Sequence, residues 1–302
     1  MISRRHIARA ATVGMFDGVH LGHKQVVDQL CAIARSRGLQ PMVVTFDRHP
    51  LCRINPARAP KMLSTLEQKS RLLVDYGAEE VVVMRFDDAL RNLTAGEFMA
   101  LLHDRYDVEL LLVGHDHRFG RGRAESFDDY CGIGEACGMT VVRENELVLS
   151  GTDLPLCSSS VRKALSDGDI TLATTLLGHS FAIHGRVGHG RNIGHTIGFP
   201  TANLLPFLPD QQLPAPGVYA GVAEIQGGRR YPAMINIGTN PTISDDGRLK
   251  IEAHLIGYEG DLYDTLLDLT FTRRLRDERK FPSLDALKSQ LQADCESVMA
   301  EN

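Results

Sequence analysis

The hydrophobic pattern of the chain changes near residue 180, and this change separates two kinds of domain. Before it, short apolar runs alternate with amphipathic stretches, which is typical of a parallel sheet with helices on both faces. After it, Gly and Pro separate short alternating runs, which predict an antiparallel sheet or a small barrel. We therefore predict an α/β doubly wound parallel-sheet domain over residues 1–180. A mainly antiparallel β-barrel domain with a C-terminal helix is predicted over residues 181–302.

Apolar periodicity places the individual elements. Strands of the first domain are predicted at Ile7–Val13, Met42–Phe46, Glu80–Met84, Glu109–Val113 and Met139–Arg143. Strands of the second domain are predicted at Val218–Ile225, Tyr231–Ile237, Ile251–Ile256 and Leu266–Thr272, with a final helix from Ser283 to Met299. Gly38 is expected to end the first helix. Two later helices carry the capping boxes Ser64-x-x-Glu67 and Thr94-x-x-Glu97.

Composition narrows the class of protein. The 302 residues suffice for two ordinary domains. Lys and Arg number 33 against 38 Asp and Glu, so the net charge of −5 disfavours a general nucleic-acid surface. No run approaches the roughly 18–20 apolar residues of a membrane helix, and the amino end lacks the apolar core of a signal peptide. The six cysteines are too scattered for a disulfide framework or a metal cage, so we expect a reducing cytoplasm.

The ten residues after the first strand form the first candidate site. They run from Gly14 to His23, at the carboxyl end of a strand, where ligands bind in open α/β sheets. His20 and His23 are three residues apart, so a helix that starts here places both imidazoles on one face. Gly18 and Gly22 let phosphates approach the backbone. The alternative is a helix cap with structural histidines, but the whole string favours a polyphosphate site.

A glycine-rich segment opens the second candidate site. The segment from Gly185 to Gly198 lacks the βαβ context of a dinucleotide loop, so it is either a flap over a nucleotide or a plain surface loop. In the extended segment that follows, Thr201 and Asn203 point to the same side, and their oxygens suit Mg²⁺. The chain has no Gly-x-x-x-x-Gly-Lys-[Ser/Thr] motif, so a P-loop kinase is not supported.

The strand around residue 252 carries a candidate general base. Ile251, Ala253 and Leu255 form its apolar face, which leaves Glu252 and His254 on the other. If that face lines the mouth of the barrel, Glu252 can accept a proton from an attacking hydroxyl. If it faces solvent, Glu252 is an exposed carboxylate, and the strand pattern alone favours this alternative.

The motifs of the first half resemble a known family. His20-x-Gly22-His23 after strand one is similar to the signature of the adenylyl/cytidylyltransferase superfamily, and the longer string resembles bacterial bifunctional riboflavin kinase/FAD synthetases. Further similar passages are Thr45–Pro50, Val113–Gly120 and Leu156–Arg162. The resemblance implies catalytic roles for His20 and His23, nucleotide binding by Gly14, Phe16, Asp17, Gly18, Gly22, Ser158, Ser159 and Arg162, and flavin binding by Asp116 and Phe119. The chain departs from the family at Cys157, at His117 and at Asp47-Arg48.

The motifs of the second half resemble riboflavin kinases. They are Gly198–Asn203, Gly217–Tyr219, Asn236–Thr242, Glu252–His254 and Leu275–Phe281. By this resemblance Thr201 and Asn203 bind Mg²⁺ and ATP, and Glu252 activates the terminal ribityl hydroxyl of the flavin. It also implies nucleotide binding by Gly190, Gly194 and Gly198, and flavin binding by Arg276. The departures are His195 in the flap and Asp264, which stands where glycine is usual.

The resemblance implies a two-step transferase. The second half would phosphorylate riboflavin to FMN with ATP, and the first half would adenylylate FMN to FAD and release pyrophosphate. ATP, riboflavin and FMN are then the small-molecule partners, with Mg²⁺ as cofactor and neither nucleic acid nor membrane as partner. The oligomeric state stays open, a homo-oligomer included. Two alternatives remain at this point: a nucleotidyltransferase for another phosphate ester, and a flavin-binding regulatory protein without turnover.

Overall fold

Two compact units make up the chain. The computed structural model describes residues 7–114, 118–122, 124–145, 155–189, 194, 197–238 and 249–300. The first unit comprises Met1–Pro60 and Leu66–Leu156, and the second comprises Lys61–Thr65 and Cys157–Asn302. The helical residues between 157 and 180, which the sequence pattern assigns to the first domain, group with the second unit because they pack on one another and on the last barrel strand.

The first unit contains a five-stranded parallel sheet, as the sequence predicts. Its strands are β1 (Arg9–Val13), β2 (Gln40–Phe46), β3 (Glu80–Met84), β4 (Val108–Val113) and β5 (Thr140–Arg143). Their order is β3-β2-β1-β4-β5, so the strand order reverses beside β1. One apolar core covers each face of the sheet, and this confirms the doubly wound arrangement. Ligands bind at such a reversal point, outside the carboxyl ends of the strands.

Six α-helices of the first unit are described. They are α1 (Leu21–Arg37), α2 (Leu51–Ile54), α3 (Leu66–Asp75), α4 (Asp88–Asn92), α5 (Ala95–Tyr106) and α6 (Phe127–Cys137). Gly38 ends α1 with φ 67°, and Thr94 and Glu97 form the predicted capping box of α5. Across the described part of the chain, no helix combines the length and hydropathy that a bilayer crossing requires.

The second unit is a closed six-stranded antiparallel barrel. Its strands are β6 (Ala182–Gly188), β7 (Ala202–Pro206), β8 (Gly217–Ile225), β9 (Arg230–Gly238), β10 (Lys250–Leu255) and β11 (Leu266–Arg276). They close in the order β10-β7-β6-β11-β8-β9. Among its described residues, three helices accompany these strands: α7 (Ser158–Asp167), α8 (Ile170–Leu177) and the predicted final helix α9 (Leu284–Met299). Cys295 and Val298 of α9 pack outside the barrel on Val218, Ala220 and Met234.

Strands β6 and β7 are absent from the sequence prediction, and close packing explains the omission. Gly185 lies in the middle of β6, where a Cβ atom would collide with the carbonyl of Leu205 on β7. The glycine that indicated a loop is therefore a site of close strand approach. Asp264, at a position where glycine is usual, has φ 59°, a left-handed conformation that Asp tolerates better than most residues.

Candidate active sites

The loop between β1 and α1 is buried and conformationally strained. Phe16 and Val19 adopt φ values of 49° and 41°, and both side chains lie in the interior. A β-branched residue such as Val19 pays a steric cost in the left-handed region. Gly14 accommodates the Phe16 ring, which comes within 2.9 Å of the place a Cβ atom would occupy. Such strain persists only where the surroundings enforce it, so this loop is held in one conformation by its neighbours.

The two predicted histidines meet at the start of α1. His20 is the N-cap, and its Nδ1 accepts a hydrogen bond from the His23 backbone N–H at 3.4 Å. The rings stack with centroids 3.7 Å apart and planes at 20°. Gly22 permits this approach, because a Cβ atom there would lie 3.2 Å from the His20 ring. The juxtaposition predicted from the spacing of the two residues is therefore present.

The pKa of His23 lies well below its ordinary value. Burial is the main cause, and the neighbouring His20 and the Lys69 ammonium lower it further. His23 Nδ1 is buried and makes no hydrogen bond in the described part of the chain. The imidazole of His23 is therefore neutral at pH 7, and binding of an anion would raise its pKa.

An apolar cavity of about 440 Å³ lies at the same carboxyl edge of the sheet. Phe46, Phe86, Phe98 and Phe119 contribute to its wall, and Arg118 and Arg121 add positive charge. The ring of Phe86 packs edge-on against Phe46 at 5.6 Å. Of the two predicted flavin-binding residues in this region, Phe119 lines the cavity, whereas Asp116 lies outside the described residues.

Tyr130 fixes the position of Phe119. Its buried hydroxyl accepts a hydrogen bond from the Phe119 N–H at 2.9 Å and donates one to the Phe119 carbonyl at 3.0 Å. The two rings also stack with centroids 4.4 Å apart. Sequence analysis missed this residue, because a tyrosine on the apolar stripe of a helix is indistinguishable from ordinary core.

The predicted triphosphate-binding residues begin α7, a helix of the second unit. Ser158 and Ser159 stand in its first turn, and Arg162 Nε donates to the Lys61 carbonyl at 2.7 Å. Cys157 is the N-cap, at a position where the resemblance implies serine. Burial raises the pKa of its thiol, but hydrogen bonds with Ser160 and Ser159 and the charge of Arg162 outweigh burial and bring the pKa below the usual value. Nucleotide binding by Ser158, Ser159 and Arg162 stays a prediction.

Strand register assembles the candidate site of the second unit. Glu252 on β10 pairs with Asn203 on β7 and with Asn236 on β9, so the three side chains share one face. Their neighbours Ile251 and Ala253 are fully buried in the barrel. The face therefore lies outside the barrel, where Glu252 is half-buried. Glu252 therefore points away from the barrel interior without being fully exposed to solvent.

A second carboxylate borders Glu252. Asn236 Nδ2 donates to Glu278 Oε1 at 3.1 Å, and the Glu278 side chain covers Gly238, where a Cβ atom would collide with it. The pKa of Glu252 is raised, chiefly by burial; Lys250 lowers it, and Glu278 raises it further. A carboxylate with a raised pKa is a stronger base than an exposed one, which suits proton abstraction.

The flap glycines lie next to the predicted metal ligands. Gly194 packs on the Phe199 carbonyl, and a Cβ atom on Gly194 would come within 3.3 Å of Thr201 Oγ1. Gly198 turns the chain with φ 87°, whereas Gly190 and His195 lie outside the described residues. His254 Nδ1 lies 2.8 Å from the Pro200 carbonyl, which anchors the segment before β7. Thr201 and Asn203 thus sit beside both the flap and Glu252.

Arg276, a predicted flavin-binding residue, forms an ion pair. Its Nε and a terminal nitrogen donate to Asp294 of α9, with a shortest distance of 2.7 Å, and its other terminal nitrogen donates to the Asp277 carbonyl at 3.1 Å. Asp294 is 5% exposed and also accepts from Gln290. The flavin-binding role of Arg276 stays a prediction, and the ion pair shows what holds its guanidinium in place.

The fold and the two sites define a transferase with a nucleotide-binding α/β domain and a separate barrel domain. Comparison with known proteins agrees along the chain: residues 3–158 match the FAD synthetase family model and residues 177–301 match the riboflavin kinase family model. The chain belongs to the bifunctional riboflavin kinase/FMN adenylyltransferase family. This confirms the prediction of a two-step transferase of FAD biosynthesis.

Individual relatives match nearly the whole chain. The bifunctional riboflavin kinase/FMN adenylyltransferase of Escherichia coli K12 is 39% identical over 94% of this chain and 89% of its own length. That of Pseudomonas fluorescens is 38% identical over 98% and 93%. A crystal structure from Streptococcus pneumoniae, named as a macrolide-efflux protein, matches with a TM-score of 0.86 and 29% identity over 97% of this chain and 94% of its own. The last match supports the fold of both units.

Proposed function

We propose that Glu252 is the general base of riboflavin phosphorylation in the second unit. It takes the proton of the terminal ribityl hydroxyl, whose oxygen attacks the γ-phosphorus of ATP while the bond to the β-phosphate oxygen breaks and ADP leaves. The observation that carries this assignment is the register that places Glu252 between Asn203 and Asn236 on one half-buried face. Its raised pKa supports the role.

Thr201 and Asn203 fit a magnesium ion that is shared with the nucleotide. A hydroxyl and an amide oxygen two residues apart are hard ligands, and phosphate oxygens and water complete such a shell. The nearby flap glycine Gly194 leaves room for a polyphosphate above Thr201. When bound, Mg²⁺ neutralises charge on the phosphate oxygens. The residues of the chain hold the nucleotide and the hydroxyl in line.

In the first unit, His20 and His23 bind the polyphosphate of a second ATP. A phosphate oxygen of FMN attacks the α-phosphorus, the bond to the β-phosphate oxygen breaks, and pyrophosphate leaves. The stacked imidazoles at the amino end of α1 stabilise the negative charge of the leaving group without a covalent intermediate. Gly18 and Gly22 let the phosphates approach the backbone of this loop.

The 440 Å³ cavity of the first unit is the proposed site for the isoalloxazine ring of FMN. Its wall of four phenylalanines suits a flat aromatic ring, because offset and edge contacts between rings are favourable. Arg118 and Arg121 at the same cavity suit the phosphate of FMN. The volume falls within the usual range for a ligand of this size.

The experiment that tests the assignments separates the two activities. Purified protein is incubated with Mg²⁺, ATP and either riboflavin or FMN, and the flavin products are separated by chromatography. The variant His20→Ala/His23→Ala should accumulate FMN without FAD. Glu252→Gln should leave riboflavin unreacted but adenylylate added FMN. If either change removed both activities from folded protein, the division between units would be wrong.

Matched substitutions control for nonspecific effects. His103→Ala removes an exposed histidine of the first unit that pairs with Asp104, and Glu224→Gln alters an exposed carboxylate of the barrel that pairs with Arg230. Both variants should retain both activities. A loss in His103→Ala equal to the loss in His20→Ala/His23→Ala would contradict the role of the stacked pair.

The thiols and the relatives support our proposal of a cytoplasmic setting. All six cysteines are unpaired in the structure, which is usual in a reducing compartment. The relatives are bacterial enzymes of flavin metabolism by name. Both observations support a cytoplasmic enzyme whose partners are ATP, riboflavin and FMN.

A further inference from the structure

Lys69 is a buried lysine that none of the steps above uses. It lies on α3 in the first unit and is 2% exposed, whereas lysine is almost never fully buried unless it is paired. Its Nζ donates hydrogen bonds to the Met15 carbonyl at 3.1 Å and to the Phe46 carbonyl at 3.0 Å. Burial of an ammonium group costs free energy, and the two hydrogen bonds offset part of that cost.

The two carbonyls belong to neighbouring strand ends. Met15 follows β1 by two residues, Phe46 is the last residue of β2, and the two strands pair in parallel. Thr45 Oγ1 donates to the same Met15 carbonyl at 3.1 Å. Lys69 thus fastens the β1–α1 loop to β2 directly before Phe16, where the backbone enters the left-handed region.

The charges around Lys69 come from the loop, from the end of β2 and from α1. The carboxylates of Asp17 and Asp47 raise the pKa of Lys69 and so favour its ammonium form. The ammonium in turn lowers the pKa of His23. Burial outweighs the carboxylates and lowers the pKa of Lys69 to about 8. At pH 7 the ammonium is therefore predominantly charged.

We propose that Lys69 is a positioning residue for adenylyl transfer, because its ammonium holds the strained loop that carries Asp17 and His20 against the end of β2. This inference rests on the proposed function of the first unit. Lys69 acts through the loop and not on the reacting phosphates. Removal of the ammonium breaks the link between the Met15 and Phe46 carbonyls, leaves Thr45 Oγ1 as a donor to the Met15 carbonyl, and displaces the imidazole pair that the loop leads into. A displacement of about 1 Å at a catalytic group can cost roughly 100-fold in rate.

The test compares Lys69→Met and Lys69→Arg with Lys24→Met, which removes an exposed lysine that pairs with Asp28. Adenylylation of FMN is measured as kcat and KM for ATP, and phosphorylation of riboflavin serves as reference for the second unit. Lys69→Met should lower kcat of adenylylation about 100-fold, with kcat of phosphorylation changed less than about twofold. Lys69→Arg, which keeps a cation, should recover part of the loss, and Lys24→Met should match the unchanged protein.

A second readout is independent of activity and of partial unfolding. In the NMR titration of the imidazole protons of folded protein, the midpoint of His23 should rise in Lys69→Met, because a nearby cation is lost, and should return toward the original value in Lys69→Arg. Unchanged kcat in Lys69→Met, or a loss equal to the unfolded fraction with no shift of His23, would overturn the inference. If the unchanged protein formed no FAD, the proposed function would fail instead.

Discussion

The two units place their candidate catalytic side chains by different means. In the first unit, the histidines follow a buried loop with strained backbone at Phe16 and Val19, and a buried lysine supports that loop. In the second unit, Glu252 takes its position from the pairing of β10 with β7 and β9. A site built on a loop depends on supports that lie beneath it, whereas a site built on strands depends on register and on what covers the strand face.

The largest expected effect is on the helix that packs outside the barrel. Asp294→Asn leaves the Arg276 guanidinium without its charged partner, and breaking a buried ion pair costs about 3–5 kcal/mol. Hydrogen exchange of the α9 and β8 amides, measured by mass spectrometry, should accelerate accordingly. Glu296→Gln, an exposed change on the same helix, should leave exchange unaltered. Equal hydrogen exchange in Asp294→Asn and Glu296→Gln would show that the ion pair does not hold α9 on the barrel, and that strand pairing alone keeps the second site in place.

The next prediction isolates backbone strain as a property of the first site. Gly18 has φ 76° and Gly257, in the second unit, has φ 79°. A Cβ atom in this region costs about 1–2 kcal/mol at either position. Gly18→Ala and Gly257→Ala should therefore lower the free energy of unfolding similarly in urea titrations. Adenylylation should fall only in Gly18→Ala. A fall of adenylylation in both variants would contradict the prediction, because the loss would then follow from lower stability and not from the conformation of the β1–α1 loop.

Tyr130→Phe tests the support of the flavin cavity with the loss of a single oxygen atom. The Phe119 backbone loses both hydrogen bonds to that hydroxyl, each worth about 0.5–1.5 kcal/mol. We expect KM for FMN in adenylylation to rise roughly five- to tenfold, with KM for ATP unchanged. Tyr106→Phe, on another helix of the same unit, should change neither constant. A parallel rise of both KM values would indicate general loosening of the first unit.

The histidine pair and the alternation around Glu252 could be predicted because each depends on local periodicity. The i, i+3 spacing of His20 and His23 needs only a helix start, and the structure supplies it at Leu21. The partner Asn236 and the supporting residues Lys69 and Tyr130 could not be predicted in the same way. Their roles arise from contacts between segments distant in sequence, and a buried lysine follows the same pattern as a solvated one.

Strand register was also beyond local reasoning, for a related physical reason. The alternation of β10 shows which side chains share a face, but not that Asn203 lies opposite Glu252. That pairing requires β7, which the sequence pattern predicts only as an extended segment after the glycine-rich one, with no strand beside it. Pairing register is set by contacts across the barrel and by the exclusion of Cβ atoms at positions such as Gly185.

The smallest effect concerns the pH dependence of the second site. Because the pKa of Glu252 is raised and a general base acts when deprotonated, kcat/KM for riboflavin phosphorylation should fall as pH decreases through that raised pKa. Glu278 raises this pKa and Lys250 lowers it. Glu278→Gln should therefore move the acid limb to lower pH, and Lys250→Met should move it to higher pH. Both shifts should be small, because Glu278 and Lys250 are exposed and solvent screens their charges.

Opposite shifts in these two variants distinguish an electrostatic cause from a structural one, because a general disturbance of the strand face would move both limbs in one direction. The pH profile of FMN adenylylation in the same variants is the internal control and should not move, since His20 and His23 belong to the other unit. An acid limb that keeps its position in both variants would assign it to a group other than Glu252. The acid limb of riboflavin phosphorylation would then arise from a group such as the nucleotide phosphates, and not from the carboxylate that the register of β10 places in the site.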